Sequence, residues 1–221
     1  MAHLPWILAA IVAYLVGAVP FGLLVGRAWK GVDIRQHGSG NLGATNALRV
    51  LGKGVGGLVL LLDVIKGAGP VLLVAALAAE PPPWAGPLVA GAAVLGHVFP
   101  VYLGFRGGKG VATSAGALGA LHPAALAVAL GVFALVVAVS RWVSLGSLVA
   151  SLALTAAAVA LDGPGEAFGA GLPRTALFAL LTVLVWIRHR ANLARILRGR
   201  EPRLGDRPRA EDAAPTADTR G

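Results

Sequence analysis

Apolar residues in this chain come in blocks long enough to cross a bilayer, separated by short polar segments. A helix needs about 20 mostly apolar residues to span a hydrocarbon core about 30 Å thick. The first such block, residues 4–25, carries no charge and is followed at once by Arg27 and Lys30. It has no basic start and no early Ala-x-Ala site, so it reads as an uncleaved span rather than a signal peptide. Further blocks cover residues 55–79, 84–103, 111–139, 143–161 and 175–187. The block 111–139 is too long for one span, since 29 residues at 1.5 Å each would reach about 44 Å. His122-Pro123 lies inside it, and proline ends or kinks a helix at the residue before it. The pattern therefore predicts a short helix over 111–121 and a full one over 123–139. The expected fold class is all-α: a polytopic integral membrane protein of about seven transmembrane helices.

Charge placement orients these helices. If residues 27–53 face the cytoplasm, alternation puts 104–110, 140–142 and everything after Ile187 on the same side. These segments hold five, two, one and nine Lys and Arg, or 17 of the 19 in the chain. The positive-inside rule then places the N-terminus outside and the C-terminus in the cytoplasm. Once orientation accounts for the net charge of +9, no basic face is left over for nucleic acid. Residues 1–201 read as one membrane-embedded domain, and 202–221, rich in Pro, Ala, Asp and Arg without apolar periodicity, as a disordered cytoplasmic tail.

Composition agrees. The chain is 57% hydrophobic and 13% charged, against about 45–50% and about 25% in soluble domains. The absence of cysteine removes disulfides, thiolate nucleophiles and cysteine metal sites. HExxH and other metal-ligand spacings are missing, as are a G-x-S-x-G elbow and a His-x-x-x-x-Asp pair.

Three polar segments on the basic side are richer than linkers need to be. In residues 37–57, Gly38, Gly40 and Gly43 match G-x-G-x-x-G, but no strand precedes them and no βαβ unit exists, so dinucleotide binding is a weak reading. Glycines can turn backbone N–H groups into a concave nest for an anion. Ser39, Asn41, Thr45 and Asn46 add short polar groups, and Arg49 supplies a planar fork suited to phosphate. In residues 96–116, a Walker A reading fails because Leu103 stands where its first glycine would be and Gly110 follows Lys109. Gly107, Gly108, Lys109 and Gly110 still open the short helix, so free N–H groups and the positive end of its dipole would meet an anion. His97 precedes this run, either as a substrate contact or in a structural hydrogen bond. In residues 188–201, His189 and Asn192 share a helical face, while Arg188, Arg190 and Arg198 read as anchors to anionic lipid. Asp63 and Lys66, an intramembrane i,i+3 pair, read as a mutual strut in preference to an ion pathway.

The runs SGNLGATNALRVLGK, GHVFP with FRGGKGVAT, and H-R-A-N-x-x-R-x-x-x-G-x-E resemble the three signature motifs of the bacterial acyl-phosphate:glycerol-3-phosphate acyltransferase family (PlsY). The likeness runs from the first helix to Glu201, in order. Arg106 and Tyr102 are mild variants of the pattern. The resemblance implies a multi-pass enzyme of the bacterial inner membrane with its site on the cytoplasmic side. It would move a fatty acyl group from acyl phosphate to the sn-1 hydroxyl of glycerol 3-phosphate, giving lysophosphatidate and phosphate. It implies no cofactor and no metal; its partners are the two substrates, membrane lipid and, by functional coupling, the enzyme that makes acyl phosphate. Carried over by position, Lys109, His189, Asn192 and Ser39 fall at catalytic positions. Arg49 falls at a substrate-binding position, Gly38, Gly40, Gly43, Gly107, Gly108 and Gly110 at backbone anion sites, and Glu201 at a structural one; Asn41, Thr45, Asn46 and His97 join the expected substrate-binding set on their own chemistry. The proton acceptor is either the donor's own phosphate or His189. A small-anion membrane transporter is the alternative from another class; anion sites clustered at one face, away from the midplane, disfavour it.

Overall fold

The computed structural model describes residues 3–206, which form ten α-helices and two 3-10 turns, with no strand among the described residues. The helices are α1 Leu4–Ala18, α2 Phe21–Lys30, α3 Ala44–Leu51, α4 Lys53–Leu77, α5 Ala85–Val98, α6 Val111–Leu121, α7 Pro123–Ser140, α8 Val143–Phe168, α9 Leu172–Arg188 and α10 Arg190–Leu197. Five stretches are long and apolar enough to cross a membrane: Leu4–Lys30, Lys53–Leu77, Ala85–Leu103, Pro123–Ser140 and Val143–Phe168. Leu172–Arg188 and Arg190–Leu197 make a sixth if taken together across their 56° bend, and Val111–Leu121 is apolar but short. The protein is therefore a multi-pass membrane protein. Leu8, Ile11, Leu61, Leu73, Leu130 and Leu180 lie on its outside, as expected where lipid replaces water.

The break before Pro123 falls where length arithmetic put it, with His122 as N-cap accepting from the Ala125 N–H at 3.3 Å. Other boundaries moved. The expected unbroken helix over residues 4–25 is interrupted at Val19-Pro20, because proline has no N–H to donate to the preceding turn. The helix expected to stop at residue 161 runs on to Phe168 across a kink at Gly163-Pro164. The expected start at residue 175 moves back to Leu172, with proline in its first turn.

With no hydrophobic driving force between helices in lipid, close backbone packing has to hold them together, and small residues permit it. Gly17 of α1 lies against the Ala93 carbonyl of α5, and Gly96 of α5 lies against that of Tyr14. In the same way Gly67 of α4 faces the Thr113 carbonyl of α6, and Gly116 of α6 faces that of Val64. Helices α7, α8 and α9 complete the bundle through α7–α8 and α8–α9 packing.

The four segments grouped by charge gather at one end. Arg188 reaches Gly107 and Gly108, Trp142 donates to the Glu201 carbonyl at 3.2 Å, and residues 33–42 share a cleft with residues 103–107. The opposite end carries Trp6, Trp84 and a cluster of His122, Asp162 and Arg174. Of the expected tail, residues 202–206 lie against the turn between α7 and α8, where the Leu204 N–H donates to the Arg141 carbonyl at 2.7 Å. The rest, 207–221, lies outside the described residues.

Candidate active site

The first glycine loop leads from α2 to α3. Asn46, buried on α3, donates to the carbonyls of Ile34 at 2.9 Å and His37 at 3.1 Å, and accepts from the Ser39 N–H at 2.9 Å. Asn41 accepts from the Gly43 N–H at 2.8 Å, and the Gly40 N–H donates to the His37 carbonyl at 3.1 Å. Asn46 and Asn41 thus shape the loop. Gly38 has φ +60 and its Cα faces the Asn46 amide oxygen, so a side chain there is both strained and obstructed. Ser39 and Thr45 are exposed and Arg49 is half-buried on α3.

The second loop folds back onto the end of α5. The N–H groups of Gly107 and Gly108 donate to the carbonyls of Val98 at 3.2 Å and His97 at 3.1 Å. A Cβ on Gly107 would strike the His97 carbonyl, and one on Gly108 the His97 ring. These contacts correct the expectation of an open nest: the N–H groups of Gly40, Gly43, Gly107 and Gly108 are already donating inside the protein. Glycine at 107 and 108 serves close approach. Gly110, with φ +84, caps α6 without a side-chain cap, and the first-turn N–H groups of the helix have no acceptor within it. His97 is buried beneath this loop, with Nδ1 3.7 Å from Asp63.

The third segment closes over the second. Lys109 Nζ donates to Asn192 Oδ1 at 2.5 Å, and Asn192 Nδ2 donates to Glu201 Oε1 at 2.6 Å. Ser144 donates to the same oxygen at 2.7 Å, and Arg195 holds Oε2 at 2.7 Å. Burial would raise the Glu201 carboxyl pKa, but hydrogen bonds from Asn192, Ser144 and Arg195 outweigh it and hold the pKa below the usual value. Burial pulls the Lys109 ammonium down to about 8; Glu201 opposes this, while Arg195, Arg188 and Arg49 push the same way.

His189 sits just past the last apolar helix, buried, with Nδ1 2.8 Å from the Val185 carbonyl. A carbonyl only accepts, so Nδ1 carries the proton and Nε2 is left unprotonated. Burial and the charge of Lys109 lower the His189 pKa to about 4.

Residues outside the expected set also belong to this site. Arg188, read from sequence as a lipid anchor, instead donates to the carbonyls of Gly107 at 3.0 Å and Gly108 at 3.1 Å, and its guanidinium lies 6.0 Å from the Phe99 ring centre. Ser144 enters through Glu201. Arg188, Arg106 and Arg35 line a cleft with Gly40, Gly107 and the apolar Leu103 and Phe105, so both glycine loops meet there. Arg35 is paired with Asp33 at 2.5 Å, and that ion pair holds the Asp33 carboxyl well below its usual range. The arrangement offers several cations and one half-buried ammonium to anions, beside an apolar wall.

Residues 7–199 match the family model described as glycerol-3-phosphate acyltransferase. Curated relatives of that name include one from Jannaschia sp. (strain CCS1), 48% identical over 200 residues, covering 90% of this chain and 92% of the relative. Another, from Synechococcus sp. (strain JA-3-3Ab), is 47% identical over 208 residues, covering 93% and 97%. Among solved structures, the crystal structure of PlsY (YgiH), an integral membrane glycerol 3-phosphate acyltransferase, in its glycerol 3-phosphate form, superposes with a TM-score of 0.81 at 37% identity, over 91% of this chain and 96% of that one. Its lysophosphatidic acid form gives 0.79 at 36%, over 90% and 95%.

Proposed function

The chain belongs to the glycerol-3-phosphate acyltransferase family, and from that premise we propose that it transfers a fatty acyl group from acyl phosphate to the sn-1 hydroxyl of glycerol 3-phosphate. The observation that carries this reading is the Lys109 ammonium, held by Asn192 among the charges of Arg49, Arg188 and Arg195, two residues along the chain from Gly107, which lines a cleft with Gly40, Arg35, Arg106 and Arg188. One face of the cleft suits phosphates and the other, with Leu103 and Phe105, suits an acyl chain.

An acyl phosphate is a mixed anhydride, so its carbonyl needs little activation. The sn-1 oxygen attacks that carbonyl, the new C–O ester bond forms, and the C–O bond to phosphate breaks. Phosphate leaves with the electron pair, and the hydroxyl proton goes to it. Ser39 and Arg49 hold the glycerol phosphate, and Lys109 offsets charge on the transferring group; positioning and charge stabilisation carry the barrier reduction. A base at His189 is the competing account. Its low pKa supports the donor phosphate as acceptor, because a weakly basic imidazole gains little from the proton.

Seven crossings, with α6 the short one, would place the N-terminus outside and this cleft at the cytoplasmic face of the bacterial inner membrane, within reach of the enzyme that makes acyl phosphate. Purified protein in lipid, given acyl phosphate and glycerol 3-phosphate, should release phosphate only when both are present. Release that does not need glycerol 3-phosphate, or none beside an active control, would refute the proposal and return the anion transporter to consideration.

A further inference from the structure

Asp63 and Lys66 are among the most buried residues of α4, and their side chains meet at 2.7 Å. As an i,i+3 pair on one helix they connect that helix only to itself, so a strut between them ties nothing together. What matters is what else each one touches.

Lys66 Nζ donates to the Val19 carbonyl at 2.8 Å, at the break between α1 and α2, and lies 5.5 Å from the Phe21 ring centre. At the break the Leu23 N–H turns to the Pro20 carbonyl at 3.0 Å, so the Val19 carbonyl keeps only the Phe21 N–H at 3.1 Å from the backbone, and Lys66 supplies a second donor. Just beyond the break, Gly22 of α2 lies directly against the Leu42 carbonyl. The first glycine loop therefore rests on the segment that Lys66 holds.

The Asp63 oxygen that pairs with Lys66 also approaches a second helix, α5. Asp63 Oδ1 lies 3.7 Å from His97 Nδ1, and apart from the ion pair its carboxylate has no hydrogen-bond partner among the described residues. His97 in turn lies under Gly108, accepting the Gly108 N–H at its carbonyl and touching the glycine Cα with its ring. A small cavity lined by Val19, Leu42, Asp63, Lys66, His97 and Gly108 joins the two sides.

We infer that Asp63 and Lys66 are positioning residues that set the two glycine loops relative to each other: Lys66 through the α1–α2 break to Leu42, and Asp63 through His97 to Gly108 and so to Lys109. Neither touches substrate. The inference rests on the proposed transfer reaction only for its kinetic readout.

The test compares Lys66→Arg, Lys66→Met, Asp63→Asn and the exchanged pair D63K/K66D with the parent protein in lipid. Each is checked for folding by gel filtration and thermal unfolding. Folded Lys66→Met and Asp63→Asn should each lose about tenfold or more in kcat/KM for glycerol 3-phosphate, while Lys66→Arg, which can still reach the Val19 carbonyl, stays within about threefold. The exchanged pair should stay impaired, because it sets an ammonium against His97 and a carboxylate against a carbonyl oxygen. Recovery in the exchanged pair would mean that pairing alone matters and would overturn the inference. So would full activity in folded Lys66→Met and Asp63→Asn.

Amide hydrogen exchange gives a second arm that needs no turnover. In Asp63→Asn, exchange should quicken in residues 107–110, and in Lys66→Met in residues 38–43, with α7 and α8 unchanged. Uniform quickening, or none at either loop, would refute the positioning role even if the parent protein proved inactive toward these substrates.

Discussion

Lys109 is the residue whose chemistry is most open to measurement. Its ammonium is held at about 8, chiefly by burial, so the cation is present below that pH and lost above it. If the cation stabilises the reacting phosphate, kcat/KM should fall as pH rises through about 8. The Glu201 charge opposes the downward shift, so Glu201→Gln should move this alkaline limb to lower pH; an unmoved or upward-moved limb would mean that Glu201 does not sustain the Lys109 cation. His189, with its pKa lowered to about 4, is neutral through the neutral range and should leave no inflection near its ordinary value. An inflection there that vanished in His189→Ala would put the proton on the imidazole instead. Lys109 and Asn192 could be picked from the sequence because a lone lysine among glycines and an asparagine three residues after a histidine stand out in a membrane protein. Arg188 could not, since it begins a run with Arg190, Arg195, Arg198 and Arg200 that lipid anchoring explains equally well. Its spacing of four from Asn192 was the available signal. The glycine N–H groups misled for a different reason: composition shows that a loop can bend, not which carbonyls its amides will find.

The helices obey two rules of different legibility. Breaks show in the sequence when they leave a surplus of length, as at His122-Pro123. The break at Pro20 left none, because residues 4–25 suit the bilayer thickness without it. Helix crossings depend on which glycines face a neighbour, and an even scatter of 31 glycines does not say which. Gly67 and Gly116 face each other's helices across α4 and α6, each against a carbonyl, whereas Gly131 on α7 has open space around it. A valine at 67 or 116 must push the helices apart, for a cost of about 1–3 kcal/mol or more. Gly131→Ala should instead leave stability unchanged or raise it by about 0.5–1 kcal/mol through helix propensity. Thermal unfolding in detergent distinguishes these, and a Gly116→Val protein as stable as its parent would mean that α4 and α6 are not in backbone contact. Because Gly110 caps α6 and Lys109 precedes it, Gly116→Val should lower activity as well, even in the fraction that stays folded.

At the scale of the whole molecule, the charge count and the folded structure agree about which segments belong together, although neither contains a membrane. Residues grouped only by alternation across apolar blocks meet through Arg188, Trp142 and Glu201 at one end. The far end carries the Trp6–Trp84 pair, suited to an interface. The proposal that the basic end faces the cytoplasm is easy to test, because the chain has no cysteine and every introduced thiol is the only one. Glu80→Cys and Ala124→Cys should react with a membrane-impermeant maleimide in intact cells, and Lys30→Cys and Arg198→Cys only after permeabilisation. All four positions are exposed in the fold, so silence cannot be blamed on burial in the bundle. Ala124 is the decisive one. It follows α6, and α6 alone is shorter than the bilayer core requires, so the Ala124 thiol can reach the outside only if α6, together with the loop before it, carries the chain across. Labelling from outside at 124, with 30 and 198 protected, requires α6 to cross and return through α7. Labelling at 124 only after permeabilisation would make α6 re-entrant, break the alternation that brings Arg141 to the basic side, and remove a crossing from the count.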